Sequence, residues 1–174
     1  QRETVEKTAA YFRASLKRDP DRTPHFLWNA KMRFGKTFAS YHLAKKMNWR
    51  KILVLTFKPA VQGAWEEDLK NHVDFAGWQF ISPGGLSYEN ADKSNPYVCF
   101  GSFQDYLQRN KVGGIKAKNE WVHSTNWDLV ILDEYHYGAW RESAKDLFDG
   151  EDKREASFGE GQDIEKYDEA DMPI

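Results

Sequence analysis

The sequence contains little cysteine and no long hydrophobic run, and both shortages limit what the protein can be. Its one cysteine, Cys99, cannot form an internal disulfide bond, which excludes a disulfide-stabilised extracellular scaffold. Because Cys99 lies in the apolar stretch YVCF, we expect it to be a small buried residue in a reducing, cytoplasmic compartment. No apolar run approaches the roughly 18 residues of a membrane span, so we expect no membrane partner.

The chain also has no initiator methionine, no secretory signal and little net charge. It starts at Gln1, so we expect a fragment of a longer protein. The net formal charge is −2, but residues 1–140 carry 20 Lys and Arg against 15 Asp and Glu, whereas residues 141–174 carry 5 against 12. A mildly basic first part suits an anionic ligand, and the acidic tail is predicted to be a loop or a partly disordered segment.

Helical and strand-like apolar patterns alternate along residues 1–141. The spacing predicts helices at residues 1–18, 37–48, 61–73 and 104–109, and strands at residues 25–29, 51–57, 78–81, 97–100 and 127–132. Nearly continuous apolar strands that alternate with helices are typical of a parallel sheet covered on both faces. We therefore predict an α/β fold whose ligand site lies at the carboxyl ends of the strands.

The sequence Gly35-Lys36-Thr37 lies between a predicted strand and a predicted helix. A loop in this position directs its backbone N–H groups, and those of the first helical turn, towards one anion, and the helix dipole adds positive charge there. Lys36 would contact nucleotide phosphates, and the Thr37 hydroxyl would bind the accompanying Mg²⁺. Gly-Lys also occurs in ordinary turns, so position within the fold carries much of the prediction.

Two carboxylates follow the last predicted strand, WDLVIL. Asp133 ends that strand and is predicted to bind Mg²⁺ together with Thr37, while Glu134 would polarise the water that attacks the γ-phosphate. Either carboxylate alone is equally consistent with a loop cap. Together with the phosphate loop, the pair predicts phosphoryl transfer from a bound nucleotide to water.

Four motifs in order resemble the first motor domain of superfamily 2 helicases and translocases, and in particular the DEAD/DEAH-like motor of bacterial restriction-modification enzymes. AKMRFGKT (residues 30–37) resembles the family's first motif, and DEYH (residues 133–136) resembles its DExH box. LVLTFKP (residues 53–59) and VCFGSFQD (residues 98–105) resemble the two intermediate strands near the DNA backbone. The resemblance covers residues 1–141 and implies a RecA-like P-loop domain that binds ATP and Mg²⁺.

The resemblance also implies roles for individual residues. Catalytic roles fall on Lys36, Asp133, Glu134 and on His136, which would couple the nucleotide state to DNA. The implied nucleotide-binding residues are Gln1, as the reader of adenine, with Ala30, Lys31, Met32, Arg33, Phe34, Gly35, Lys36, Thr37 and Phe38. The implied nucleic-acid contacts are Thr56, Lys58, Ser102 and Gln104, which would bind the backbone without reading sequence.

The chain departs from the family pattern in two ways. Arg33 stands in the phosphate loop where the family usually has glycine, which approaches phosphate more closely. The family's third motif, on a strand that lies between the phosphate-loop strand and the DExH strand, is not found in residues 141–174. We therefore expect residues 1–141 to form the first RecA-like domain, residues 142–174 to lead towards the third motif, and the second RecA-like domain to lie outside this chain, which alone should be a poor ATPase.

The function implied by the resemblance is an ATP-driven DNA helicase or double-stranded DNA translocase within a restriction-modification system. Nuclease or methyltransferase domains or subunits would then be partners. Three alternatives remain: an RNA helicase, an ATP-binding switch or scaffold without motor activity, and a degenerate motor in which Arg33 blocks the phosphate loop. His25, His42, His72 and His123 have no metal-ligand spacing in the sequence, so no zinc site is predicted.

Overall fold

The structure, a computed structural model, describes residues 1–30, 34–106 and 117–133. All of these residues belong to the unit Gln1–Glu134. The predicted acidic segment at residues 142–174, with its expected path towards a third motif, lies outside the described residues. None of the described helices is both long and apolar enough to cross a membrane.

Four parallel strands form the sheet in the order β2-β3-β1-β4. The strands are β1 Lys51–Thr56, β2 Gln79–Ile81, β3 Tyr97–Ser102 and β4 Leu129–Asp133. β1 and β3 are buried along almost their whole length, because helices cover the sheet on both sides. The predicted α/β fold with a parallel sheet is confirmed.

Helices and single 3₁₀ turns connect the strands. The helices are α1 Arg2–Arg18, α2 Lys36–Met47, α3 Gln62–Lys70, α4 Phe103–Tyr106 and α5 Glu120–Ser124, and the 3₁₀ turns are Pro59–Val61, Val73–Phe75 and Ala117–Asn119. The helix predicted at residues 61–73 is therefore shorter than expected and is flanked by two of the 3₁₀ turns. α5 was not predicted, and residues 107–109 of the predicted fourth helix lie outside the described residues.

The larger core lies between the sheet and helices α2 and α3. Side chains that alternate along the strands point to this face and pack on Tyr41 of α2 and Trp65 of α3, and the strand members are Ile52, Val54, Phe80, Val98 and Phe100. On the other face, the Tyr106 hydroxyl of α4 contacts Cys99 Sγ at 3.3 Å. Cys99 is buried as predicted, and burial raises the pKa of its thiol to about 12, so it is unreactive at neutral pH.

α1 packs on α2 through a second apolar cluster. Val5, Ala9 and Phe12 of α1 contact Ala39 and Leu43 of α2. Outside this cluster, the Lys46 ammonium lies 2.7 Å from the Glu6 carboxylate. The first helix is thereby fixed to the helix that follows the phosphate loop, which brings the start of the chain close to that loop.

The strand predicted at residues 25–29 is wrong, because this segment forms no strand. It lies against α1 instead: the Trp28 indole N–H donates to the Thr8 hydroxyl at 2.8 Å, and the Phe26 ring packs on Tyr11 with centroids 5.1 Å apart. A strand needs a paired neighbour for its backbone groups. β4 is an end strand of the described sheet, and the strand that the resemblance places beyond it is the third-motif strand.

Candidate functional site

The described end of the turn into α2 combines a left-handed glycine with a helix N-terminus, a combination that suits an anion. Gly35 has φ +76°, a left-handed conformation that favours glycine, and it directly precedes the first residue of α2, Lys36. Thr37 and Phe38 follow in the first turn, where backbone N–H groups have no partner inside the helix. Phosphate oxygens are suitable acceptors for such groups. Lys31, Met32 and Arg33 lie outside the described residues, so their predicted roles stay predictions.

The two most informative predicted site residues meet directly. The Lys36 ammonium lies 2.7 Å from Oδ1 of Asp133, which ends β4 at the carboxyl edge of the sheet. The side chain of Asp133 is only 3% exposed, whereas that of Lys36 is 44% exposed. A buried carboxylate is therefore paired with a lysine that can still reach solvent. Thr37, also predicted to bind Mg²⁺, is buried in the same first turn of α2.

Trp65 contacts the candidate site, a role that was not predicted from the sequence. Its indole N–H donates to Oδ2 of Asp133 at 3.0 Å, so each carboxylate oxygen of Asp133 has a partner. The Tyr41 hydroxyl of α2 donates in turn to the Trp65 carbonyl at 2.7 Å, and burial raises the pKa of Tyr41 well above its usual range. The only signal in the sequence was an apolar helical pattern that included a tryptophan, which predicts burial but no hydrogen bond.

Gln1 lies on the phosphate loop. Its side-chain amide donates to the Phe34 carbonyl at 2.5 Å, and a methyl group added at Gly35 would collide with the same amide. Ala30 and Phe34 are partly buried on the two sides of the undescribed segment. The Phe38 ring packs on His42 and His72, so Phe38 can offer a phosphate only its backbone N–H. Adenine recognition by Gln1 stays a prediction.

Three strands end in one row at the site edge of the sheet. Thr56 of β1 is in register with Ser102 of β3 on one side and with Asp133 of β4 on the other. The predicted nucleic-acid residues therefore lie at the same edge as the predicted metal-binding carboxylate. Glu134 and His136 would follow directly, but they lie outside the described residues and stay predictions.

Two of the predicted nucleic-acid residues hold the local structure. Thr56 is fully buried, and its hydroxyl accepts the Lys58 backbone N–H at 3.0 Å. Ser102 is buried and caps α4: its hydroxyl donates to the Asp105 carboxylate at 2.6 Å and accepts the Asp105 N–H at 3.1 Å. Both side chains shape turns at the sheet edge. Gln104, in the first turn of α4, is exposed.

A comparison with known protein families shows which family has this sequence pattern. The sequence profile of the family described as "Type III restriction enzyme, res subunit" matches residues 1–158, which is most of the chain. The chain belongs to this family. Family membership confirms the resemblance to the N-terminal RecA-like domain of superfamily 2 helicases, and it implies an ATP-binding domain of the helicase type.

A curated relative of this res-subunit domain comes from Mycoplasma pneumoniae and carries the description "Putative type II restriction enzyme and methyltransferase RM.MpnORF110P C-terminus". It is 38% identical over 143 residues, which cover 78% of this chain and 19% of the relative. The chain thus spans about a fifth of that relative's length. No solved structure matches the chain.

Proposed function

We propose that this res-subunit domain binds ATP with Mg²⁺ between the Gly35-Lys36-Thr37 turn and Asp133, and that the intact protein hydrolyses the ATP to move along DNA. The contact that carries the proposal is the 2.7 Å ion pair between Lys36 and Asp133. Two distant parts of the sequence, one typical of phosphate binding and one typical of metal binding, meet there at the carboxyl edge of a parallel sheet.

The residues at this edge fit ATP·Mg²⁺ chemically. The positive-φ turn at Gly35 and the N-terminus of α2 suit phosphate oxygens, and the exposed end of Lys36 supplies a cation. Thr37 and Asp133 supply the oxygen ligands that Mg²⁺ prefers. When bound, Mg²⁺ would neutralise charge on the phosphates. Glu134, next in the chain, would hold the attacking water as general base, and His136 would couple this site to DNA.

Nucleic acid would bind along the same edge of the sheet. Lys58 follows the turn that the buried Thr56 hydroxyl holds, and exposed Gln104 follows the Ser102 cap. Thr56 and Ser102 would therefore act mainly by positioning these two neighbours. Contacts of this kind reach the sugar-phosphate backbone, so binding should be independent of sequence and should weaken as salt rises.

The wider setting is a restriction-modification enzyme, as the description of the Mycoplasma relative suggests. In the intact protein, a second RecA-like domain would complete the ATP site, and nuclease or methyltransferase domains or subunits would act on the DNA. Because the second domain is needed to complete the site, the chain on its own should hydrolyse ATP poorly. The family match supports this motor role, and movement along DNA is the part that we propose.

The test is ATP hydrolysis by the intact protein, with Lys36→Ala and Lys36→Arg as site variants. Lys36→Arg keeps the positive charge beside Asp133, so it separates a loss of function from a loss of folding. Lys46→Ala is the matched control, since Lys46 lies on the same helix and pairs with Glu6 away from the site. Both Lys36 variants should lose ATP turnover, and Lys46→Ala should retain it.

Two additives, duplex DNA and RNA, separate the proposed motor from its alternatives. Turnover stimulated by duplex DNA supports the DNA motor. Stimulation by RNA alone would instead support an RNA helicase, and turnover indifferent to any nucleic acid would support a switch. Normal ATP hydrolysis by Lys36→Ala in the presence of duplex DNA would refute the assignment of the site itself.

A further inference from the structure

Two histidines and one aspartate converge on the side of α2 that faces away from α1. His42 lies in α2, while His72 and Asp74 lie at the 3₁₀ turn that follows α3. Oδ2 of Asp74 lies 3.7 Å from His42 Nε2 and 3.6 Å from His72 Nδ1. Among the described residues, all three ligand atoms lie within 4.8 Å of one another.

These separations nearly match the spacing around one metal ion. A point exists that is no more than about 2.4 Å from all three ligand atoms, whereas zinc-to-ligand bonds to nitrogen and oxygen are about 2.0–2.2 Å. Movements of a few tenths of an ångström would therefore close the site. We infer that His42, His72 and Asp74 bind one divalent transition-metal ion, with Zn²⁺ as the best match, and that solvent supplies the remaining ligand.

The side chains around the cluster hold its ligands in suitable orientations. Lys45 lies 3.5 Å from Oδ1 of Asp74 and donates to the Asp74 carbonyl at 2.9 Å, which leaves Oδ2 facing both imidazoles. The Phe38 ring packs edge-on against His42 and His72, with centroids 4.4 Å and 4.7 Å away. Outer contacts of this kind fix the direction of metal ligands.

The Nδ1 of His72 is unprotonated, which is the form that binds metal, because it accepts the Asp74 backbone N–H at 3.2 Å. This hydrogen bond is long, and a metal ion on Nδ1 would replace it. The three side chains are between 31% and 42% exposed, so an ion can enter and water can complete its coordination. Two imidazoles and one carboxylate favour zinc and its neighbours over Mg²⁺, which prefers an all-oxygen site.

A metal ion here would join α2 to the turn after α3. No spacing in the sequence indicates this site, because zinc motifs are usually recognised by short spacings, whereas His42 and His72 come from different elements. The two histidines are brought together by the packing of Phe75, which is buried against Tyr41 of α2. The inference is independent of the proposed ATP site, which uses other residues of α2.

The experiment is a calorimetric titration of the metal-free intact protein with Zn²⁺, in millimolar Mg²⁺ to saturate the nucleotide site. We expect one equivalent of Zn²⁺ to bind, and His42→Ala, His72→Ala and Asp74→Asn each to weaken binding at least ~10-fold. His123→Ala is the matched control, because His123 lies outside the cluster and contacts the Tyr106 carbonyl instead. Asp133→Asn is the second control and should bind Zn²⁺ normally.

Folding is followed in the same samples, so that a lost ligand is distinguished from a lost fold. Zn²⁺ should raise the melting temperature of the unaltered protein and of His123→Ala, but not that of the cluster variants. Absence of Zn²⁺ binding would overturn the inference. It would also be overturned if the control His123→Ala weakened binding as much as the cluster variants, or if binding depended on Asp133.

Discussion

Replacement of Trp65 by phenylalanine should impair metal use at the nucleotide site more than it impairs the fold. The substitution keeps an aromatic ring in the core but removes the indole N–H that lies 3.0 Å from Oδ2 of Asp133. Trp65 is 1% exposed, so water cannot easily replace the lost donor. Among the described residues, Asp133 would then be held by Lys36 alone, and its carboxylate could turn towards that lysine.

The size of the effect follows from the type of hydrogen bond that is lost. A hydrogen bond to a charged group contributes about 1.5–3 kcal/mol, and about 1.4 kcal/mol corresponds to a factor of ten. Loss of an outer contact to a metal ligand usually weakens metal binding by about 10- to 100-fold. We therefore expect the Mg²⁺ concentration for half-maximal ATP hydrolysis to rise by about 10- to 100-fold in Trp65→Phe.

The assay is DNA-stimulated ATP hydrolysis by the intact protein at fixed ATP and increasing Mg²⁺. Trp78→Phe is the matched control, because Trp78 packs against the same core cluster but makes no contact with Asp133. Both substitutions remove the same ring volume, but Trp65→Phe should cost more stability, because Trp65 is fully buried and bonded to Asp133 whereas Trp78 is partly buried. If the two variants need the same Mg²⁺ concentration, Trp65 does not position Asp133 for metal binding and the reasoning fails.

Three further substitutions test neighbouring parts of the argument. Gly35→Ala should cost about 1 kcal/mol of unfolding free energy through its positive φ, and it should weaken binding of a fluorescent ATP analogue. Gly77→Ala is the control: its φ of +84° imposes the same backbone strain outside the site, and ATP-analogue binding should stay intact. Ser102→Ala should cost about 1 kcal/mol by removing the α4 cap. In an anisotropy titration it should lower DNA affinity no more than Gln104→Ala does, and a larger loss would indicate direct contact by Ser102. Glu134→Gln should bind ATP·Mg²⁺ without turnover in a single-turnover assay, and continued hydrolysis would exclude it as the base.

The buried strands and the long helices were predictable because their signals are local. The runs KILVLTF and YVCF are apolar without alternation, and such runs form strands that are covered on both faces. α1 and α2 show their buried faces as helical spacing of apolar residues. Their bounds differ from the predictions by one or two residues, which is usual where helix and strand ends fray.

The errors concern segments whose structure depends on distant partners. Residues 25–29 have the composition of a strand, but without a pairing neighbour their aromatic residues pack on α1. The short helix α5 has too few residues to be stable by propensity and is fixed by tertiary packing, since Trp121 stacks on Tyr88 at 4.3 Å. Neither pairing is visible within a window of neighbouring residues.

In the candidate site too, features with a local sequence signal were predictable and contacts between distant elements were not. The meeting of Lys36 and Asp133 at the carboxyl edge of the sheet could be predicted, because each position follows from residue type and from place relative to a strand or helix. The bond from Trp65 to Asp133 and the cluster of His42, His72 and Asp74 could not, since each joins elements whose distance in space is set by the packed core. Sequence patterns therefore indicated which candidate residues lie at the sheet edge more readily than they indicated the contacts that hold those residues in place.

The contacts around Asp133 suggest why the nucleotide and its metal should bind together. α2 contributes both Lys36, which pairs with Asp133, and Tyr41, which holds Trp65 against the same carboxylate. A buried carboxylate that loses the cation paired with it costs several kcal/mol. Phosphates that draw Lys36 away would impose this cost unless another cation reaches Asp133. Under the proposed function, Mg²⁺ bound to the phosphates would meet this requirement, so the pairing of Lys36 with Asp133 should favour binding of ATP·Mg²⁺ over ATP alone.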